Sequence, residues 1–191
     1  LAIGPQNLFV IEQGLKKQFI FTVTTICTLS DILLIFLGIF IYEIFDFITV
    51  EIEIFLNIIL ILFLLKFIKE KINELKKNIV IREFNKSKSF KNTVLKTLGF
   101  TYLNPHVYSD TVFILGNLSK NFDINNKFFF AIGASVSSII FFYSLGFMSS
   151  IFANFIKDKH TWRNINIFII SFMCILITYI LLSTYLKFFN I

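Results

Sequence analysis

Charge is scarce in this 191-residue chain: 16% of its residues are charged against 56% hydrophobic, with 27 Phe and a mean hydropathy of +0.78. That scarcity excludes a soluble domain, which has no use for so much apolar surface, and implies an integral membrane protein. Cysteine is equally sparse. Cys27 and Cys174 lie in apolar stretches, with no CxxC spacing and no cluster of His or carboxylates around them, so they read as buried, unreactive thiols rather than metal or redox groups. The two histidines, His106 and His160, are too few and too far apart for a metal set, haem ligands or a nucleophile with its base, which argues against a membrane enzyme and leaves no cofactor to expect. A net charge of +6 would raise the question of nucleic acid in a soluble chain; here it is read by position, as a topology signal. Proline occurs twice, at Pro5 and Pro105.

A bilayer span needs about 20 mostly apolar residues. The sequence offers six segments: one ending near Ile11, a second from about Phe19 to Tyr42, a short third from Ile54 to Ile68, a fourth from Leu98 to Leu118, a fifth from Phe128 to Ile156 and a sixth from Ile165 to Leu186. An apolar run is already under way at Leu1, so the expectation is that segment one is seen only in its second half. Basic residues alternate between loops. The loops after segments one, three and five hold Lys16 and Lys17, ten Lys or Arg from Lys66 to Lys96, then Lys157, Lys159 and Arg163, which is 15 of the 18; those after segments two and four hold only Lys120 and Lys127, with Glu43, Asp46, Glu51 and Glu53 in the former. By the positive-inside rule the odd loops are cytoplasmic and the C-terminus, with Lys187, lies outside, whether segment one crosses or re-enters. The stretch from Lys69 to Lys96 reads as a solvated linker, with anionic lipid or a protein as the alternative partner. Trp162, beside His160 and Arg163, reads as an interfacial anchor.

The two prolines stand 100 residues apart, each in the segment that opens a set of three, and each among carboxamides: Gly4-Pro5-Gln6-Asn7 and Asn104-Pro105-His106. Proline removes a donor and frees the carbonyl four residues earlier, which in hydrocarbon must be satisfied by protein, water or ligand. Paired interruptions in corresponding halves point to a transporter of inverted repeats with a midplane site made by broken helices. The expected fold is therefore an all-α polytopic membrane protein, one transporter domain, with about six segments in two inverted three-segment repeats (1–68 and 97–191) joined by the basic loop 69–96. Simple kinks relieved by neighbouring side chains are the plainer alternative.

Asp31 lies near the centre of segment two and Asp110 in the middle of segment four. A carboxylate at such depth costs about 2.5–3.5 kcal/mol on insertion scales, so it is a functional candidate by default. No Lys or Arg sits near a segment centre to pair with either. Thr24, Thr28 and Asp31 form one polar stripe at helical spacing; His106 and Asp110 form another, continued by Asn117. Two carboxylates with carboxamides and unwound backbone suit a cation arriving from outside, and one acid could carry a proton when the substrate is absent. The alternative is that both acids only hold the bundle together. In segment five, Gly133 with Ser137 and Ala134 with Ser138 read as packing positions, with Ser137 or Ser144 as lesser candidates to line a path.

At these residues the sequence resembles a known family. AIGPQNLFVIEQGLKK, CTLSD at 27 to 31 and TYLNPHVYSDTVFILGNL at 101 to 118 are ordered and spaced as in the LysE-type exporters, and weaker similarity continues through segments five and six. Gly-Pro-x-Asn alone would also fit exporters of neutral amino acids; the Ser-Asp of segment two and the Asn-Pro-His-x-Tyr-x-Asp of segment four favour the basic amino-acid branch. The resemblance implies export of L-lysine, L-arginine or both across a bacterial inner membrane, driven by the proton-motive force, with protons and the basic amino acid as partners; a neutral amino acid or another small cation is the alternative cargo. Its motif positions are Gly4, Pro5, Gln6, Asn7, Asp31, Asn104, Pro105 and Asp110, to which the stripes add Thr28 and His106. Ser109 stands where many members carry Leu, and the family's first segment begins upstream of Leu1. The implied mechanism pairs the substrate's side-chain cation with Asp31 or Asp110 and its α-carboxylate with helix-end amides near Asn7 or Asn104. A cation channel and an assembly subunit are the rival readings; a homo-oligomer is allowed but not specified.

Overall fold

A computed structural model describes residues 4–41, 50–76, 89–153 and 159–188, and every regular element among them is helical. α1 is Pro5–Lys16, α2 Ile20–Ile41, α3 Val50–Lys76 and α4 Phe90–Tyr102. After a break at Leu103 and Asn104 come the short α5, Pro105–Tyr108, a π-helical turn at Ser109–Ile114, and α6, Leu115–Ser119; α7 is Ile124–Phe152 and α8 Lys159–Phe188. Among the described residues, three stretches are long and apolar enough to cross a bilayer: Ile20–Ile41, Ile124–Phe152 and Arg163–Leu182. The other expected spans fall short of that measure for separate reasons. α1 has 12 residues, about 18 Å of helix; α3 is long enough at 27 residues but carries Glu51, Glu53, Lys66, Lys69, Glu70 and Lys71 along it; segment four is cut into pieces.

Both prolines start helices rather than kink them. Pro5 is the first residue of α1, behind an extended Gly4, a position where its missing N–H costs nothing. α4 stops at Tyr102 because Pro105 cannot continue the hydrogen-bond ladder. Asn104 caps the restart by accepting from the His106 N–H at 3.2 Å, and the Tyr108 hydroxyl returns to the Tyr102 carbonyl at 2.8 Å, so the break satisfies part of its own backbone.

α2 packs most extensively on α7, α1 also lies on α7, α3 on α8, and α4, the π turn and α6 on α2. Glycines set the closest crossings. A Cβ at Gly14 would lie 2.6 Å from the Gly146 carbonyl oxygen, one at Gly38 2.6 Å from Val112 Cα, and one at Gly146 2.6 Å from Thr24 Cγ2. Gly133, read from sequence as a packing position, faces open space, with no described atom within 4 Å of its Cβ direction, and Ser137 and Ser144 are exposed. The apolar core runs between the helices through Phe9, Cys27, Leu64, Phe67, Phe100, Phe142 and Met173. Apolar side chains also cover the outside, Phe129 at 71% and Ile175 at 68% exposed among them, as suits a lipid-facing surface.

Other expectations change with the fold. Cys27 is buried, but Cys174 is exposed on α8. Lys16, counted as a loop charge, ends α1 and is buried, and the turn to α2 is only Lys17, Gln18 and Phe19, with Lys17 left-handed at φ 53°. The stretch read as a basic loop, 69–96, includes the last turns of α3 and the start of α4. Glu43, Asp46, residues 77–88 and Lys157 lie outside the described residues, as does the side chain of Trp162.

Candidate functional site

The two helix restarts meet. A Cβ at Gly4 would stand 3.6 Å from Asn104 Nδ2, so residues 100 apart in sequence border one space. That space is a cavity of about 350 Å³ lined by Gly4, Gln6 and Asn7 of the first break, Asn104, His106, Val107, Asp110 and Thr111 of the second, Asp31 of α2, Phe142 of α7, and Leu176 and Tyr179 of α8. Its size falls within the range of small-molecule sites. Seven of the residues singled out from sequence are therefore neighbours: Gly4, Gln6, Asn7, Asp31, Asn104, His106 and Asp110.

Asp31 is buried at 4% exposure and accepts a hydrogen bond from Ser138 Oγ at 3.0 Å; Asp110 is half-buried. Among the described residues, no Lys or Arg lines the cavity. Both carboxylates also border a second cavity of about 620 Å³, with Ile35, Ile114, Phe129 and Ser137 on its walls, so the acid pair stands between two spaces. The Nε2 of Gln6 is buried without a hydrogen-bond partner among the described residues, a donor for an arriving acceptor.

Asp110 lies at the start of the π turn, four residues past His106 on the same cavity wall. A π turn holds one more residue than an α turn, and such turns are frequent at functional sites. It sits where Gly38 lets α2 approach the backbone of Thr111 and Val112. The extra residue also rotates the helix beyond it. Asn117, placed by 3.6-residue spacing on the stripe of His106 and Asp110, is exposed and off the cavity wall.

Thr28 is buried one turn from Asp31, its hydroxyl unpartnered among the described residues, but does not line the cavity; Thr24 bonds the carbonyls of Ile20 and Phe21 and packs beneath Gly146. Sequence reasoning missed Val107, Thr111, Phe142, Leu176 and Tyr179 on the wall, and Ser138 as the partner of Asp31. Tyr179 stacks on His106 with ring centroids 5.9 Å apart, a pairing no local spacing announces.

The family model described as LysE type translocator matches residues 1–184. The chain belongs to the LysE translocator family. Curated relatives agree: the arginine exporter protein ArgO of Pectobacterium carotovorum is 33% identical over 177 residues, 88% of this chain and 84% of the relative. ArgO of Escherichia coli K12 is 30% identical over 172 residues, 87% and 80% of the two chains, and ArgO of Photorhabdus laumondii 30% identical over 195 residues, 94% and 86%. No solved structure matches. As a LysE translocator with several apolar helices, the chain is a multi-pass membrane transporter and not an enzyme.

Proposed function

We propose that this transporter exports basic L-amino acids, arginine, lysine or both, from the cytoplasm, driven by the proton-motive force. The observation that carries the reading is the convergence of Asp31 and Asp110 on one cavity whose described walls hold no Lys or Arg. Two acids without an internal counter-ion are complementary to a cargo that brings its own positive charge. The names of the ArgO relatives support the same cargo class.

In this reading Asp31, fixed by Ser138, and Asp110 pair the side-chain ammonium or guanidinium. The α-carboxylate lies at the start of α1, where Gln6 and Asn7 line the cavity and the helix dipole favours an anion. His106 and Asn104 border the same space from the second break. Two inverted repeats are supported by reciprocal packing: α1 crosses α7 at Gly14 and Gly146, the π turn crosses α2 at Gly38, α3 meets α8, and Asp31 meets Ser138 where α2 and α7 face each other. Access then alternates as one repeat rocks against the other. Protonation of one acid on the outward side discharges the cation. In this reading the C-terminal ends of α1 and α3, with the basic residues beside them, face the cytoplasm, as the positive-inside rule expects.

The test is efflux of radiolabelled arginine and lysine from cells lacking their own exporter, with and without a protonophore, alongside resistance to the arginine analogue canavanine. Faster, protonophore-sensitive efflux with resistance supports the proposal and ranks the substrates. No change for either amino acid, from protein present in the membrane, overturns it in favour of a neutral cargo or another cation.

A further inference from the structure

The acid pair borders two spaces of different character. The first, about 350 Å³, has the carboxamides of Gln6, Asn7 and Asn104 and the ring of His106 on its walls. The second, about 620 Å³, shares Asp31, Asp110 and Thr111 with it but is otherwise mainly apolar, walled by Ile35 of α2, Ile114 and Leu115 where the π turn meets α6, and Phe129 and Phe130 of α7. Ser138, which donates to Asp31 at 3.0 Å, lines only this second space. The rim of the second cavity lies on the apolar outer surface: Ile114 is 49% and Phe129 71% exposed, and Gly133 and Ser137 are exposed beside them. Gly133 brings no side chain to the wall, and no described atom lies within 4 Å of its Cβ direction, so α7 leaves the space open there. The cavity thus opens on the lipid-facing side and holds two carboxylates at its inner end.

Apolar walls with a few converging polar groups are the usual make-up of a small-molecule site. A lipid tail would cover the walls but bring nothing to the acids. A free basic amino acid would meet the acids, but its α-carboxylate and α-ammonium would lie against Ile and Phe, where burial without partners is costly. A cation on an apolar tail answers both ends, pairing its charge with Asp31 and Asp110 and burying its tail between α2, α6 and α7. We propose that the second cavity is a binding site for amphiphilic cations, an ammonium or guanidinium on an alkyl or aryl tail, that reach it sideways from the bilayer. Because the same two acids border both spaces, one cation is held at a time, and a bound amphiphile blocks the export of arginine. The block rests on the proposed export of basic amino acids; the binding does not.

The experiment measures tritiated octylguanidinium bound to the full-length protein in lipid nanodiscs, above that taken up by empty discs. The competitors are N-octylurea, which has the same tail without the charge, and methylguanidinium, which has the charge without the tail. Saturable binding is expected, with N-octylurea failing to displace it and methylguanidinium displacing it only at concentrations at least about tenfold above those of unlabelled octylguanidinium. Gly133→Leu, whose side chain fills the open space, weakens binding about tenfold, and Ser137→Leu on the same wall acts in the same direction. In efflux assays octylguanidinium raises the half-saturating arginine concentration of the wild type, and less so in Gly133→Leu, each compared with its own uninhibited rate. Displacement by N-octylurea as good as by octylguanidinium would reduce the cavity to an apolar groove and overturn the cation site. Unchanged binding in both leucine variants would place the tail elsewhere and overturn it too. So would a disulfide between two copies of Gly133→Cys in a Cys27→Ser, Cys174→Ser background, which would show a second copy covering the opening. Octylguanidinium binding with the expected dependences, from a wild type that exports neither arginine nor lysine, would support the site and overturn only the export reading.

Discussion

Replacing Asp31 with Asn removes one charge and almost nothing else. The side chain keeps its shape, and the hydroxyl of Ser138, which donates to Asp31 Oδ2 at 3.0 Å, still finds an acceptor in the amide oxygen. Asp31 is 4% exposed, so the lost charge–cation pairing is little screened by water. A hydrogen bond to a charged group contributes about 1.5–3 kcal/mol. Taking about 2–3 kcal/mol for this buried case, efflux of arginine at subsaturating internal concentration falls roughly 30- to 150-fold. Asp110 is half-buried and shares the same cavity, so Asp110→Asn costs less, about tenfold or under, and the double variant falls short of the product of the two because both acids meet one cation. The assay is initial-rate efflux of radiolabelled arginine from preloaded cells, normalised to transporter in the membrane. Normal rates for both single variants at normal abundance would refute the electrostatic role of the acid pair.

Gly14→Val is expected to lower the amount of folded protein in the membrane sharply, because its Cβ lands 2.6 Å from backbone at the α1–α7 crossing, an overpacking cost of about 1–3 kcal/mol; Gly133→Ala, with open space around it, leaves abundance unchanged in the same immunoblot. Asn104→Ala removes the acceptor for the His106 N–H, a cap of about 1 kcal/mol, and one polar wall of the cavity, and efflux falls several-fold with abundance nearly kept. Ser138→Ala leaves Asp31 one donor short, and arginine efflux falls less than in Asp31→Asn; an equal loss in the two would show that the hydroxyl, not the charge, matters.

Much of the candidate site was legible because its signals are local. A proline beside carboxamides marks a broken backbone, and an acid within an apolar run marks a candidate site, whatever the rest of the chain does. Those rules found Gly4, Gln6, Asn7, Asp31, Asn104, His106 and Asp110, which all line one cavity. Asn117 shows where local spacing fails. The helix through Asp110 is not α-helical, and its π turn lies where α2 presses Gly38 against it, a contact between residues more than 70 apart.

Lys16 and Lys71 show a second limit. In a linear reading a lysine near the end of an apolar segment belongs to the headgroups and the topology count. Their burial depends on Glu12, which binds Lys71 across 59 residues of sequence, and on how α3 and α8 lie against α1. The count of spans is hard to read for a related reason: apolar composition marks what avoids water, but a segment buried among other helices and one facing lipid look alike until the helices are packed.

By itself, then, the sequence determined the membrane environment, the helical class, the two restarts at Pro5 and Pro105, the pairing of Asp31 with Asp110 as candidates and, through its motifs, the family. These follow from transfer free energies and backbone chemistry that act within a few residues. Only the tertiary structure decided that Gly4 faces Asn104, that Ser138 holds Asp31, that His106 stacks on Tyr179, and that Glu12 gathers Lys16 and Lys71. Such pairings depend on the crossing and rotation of whole helices, which close packing at a few glycines sets and which no local periodicity encodes.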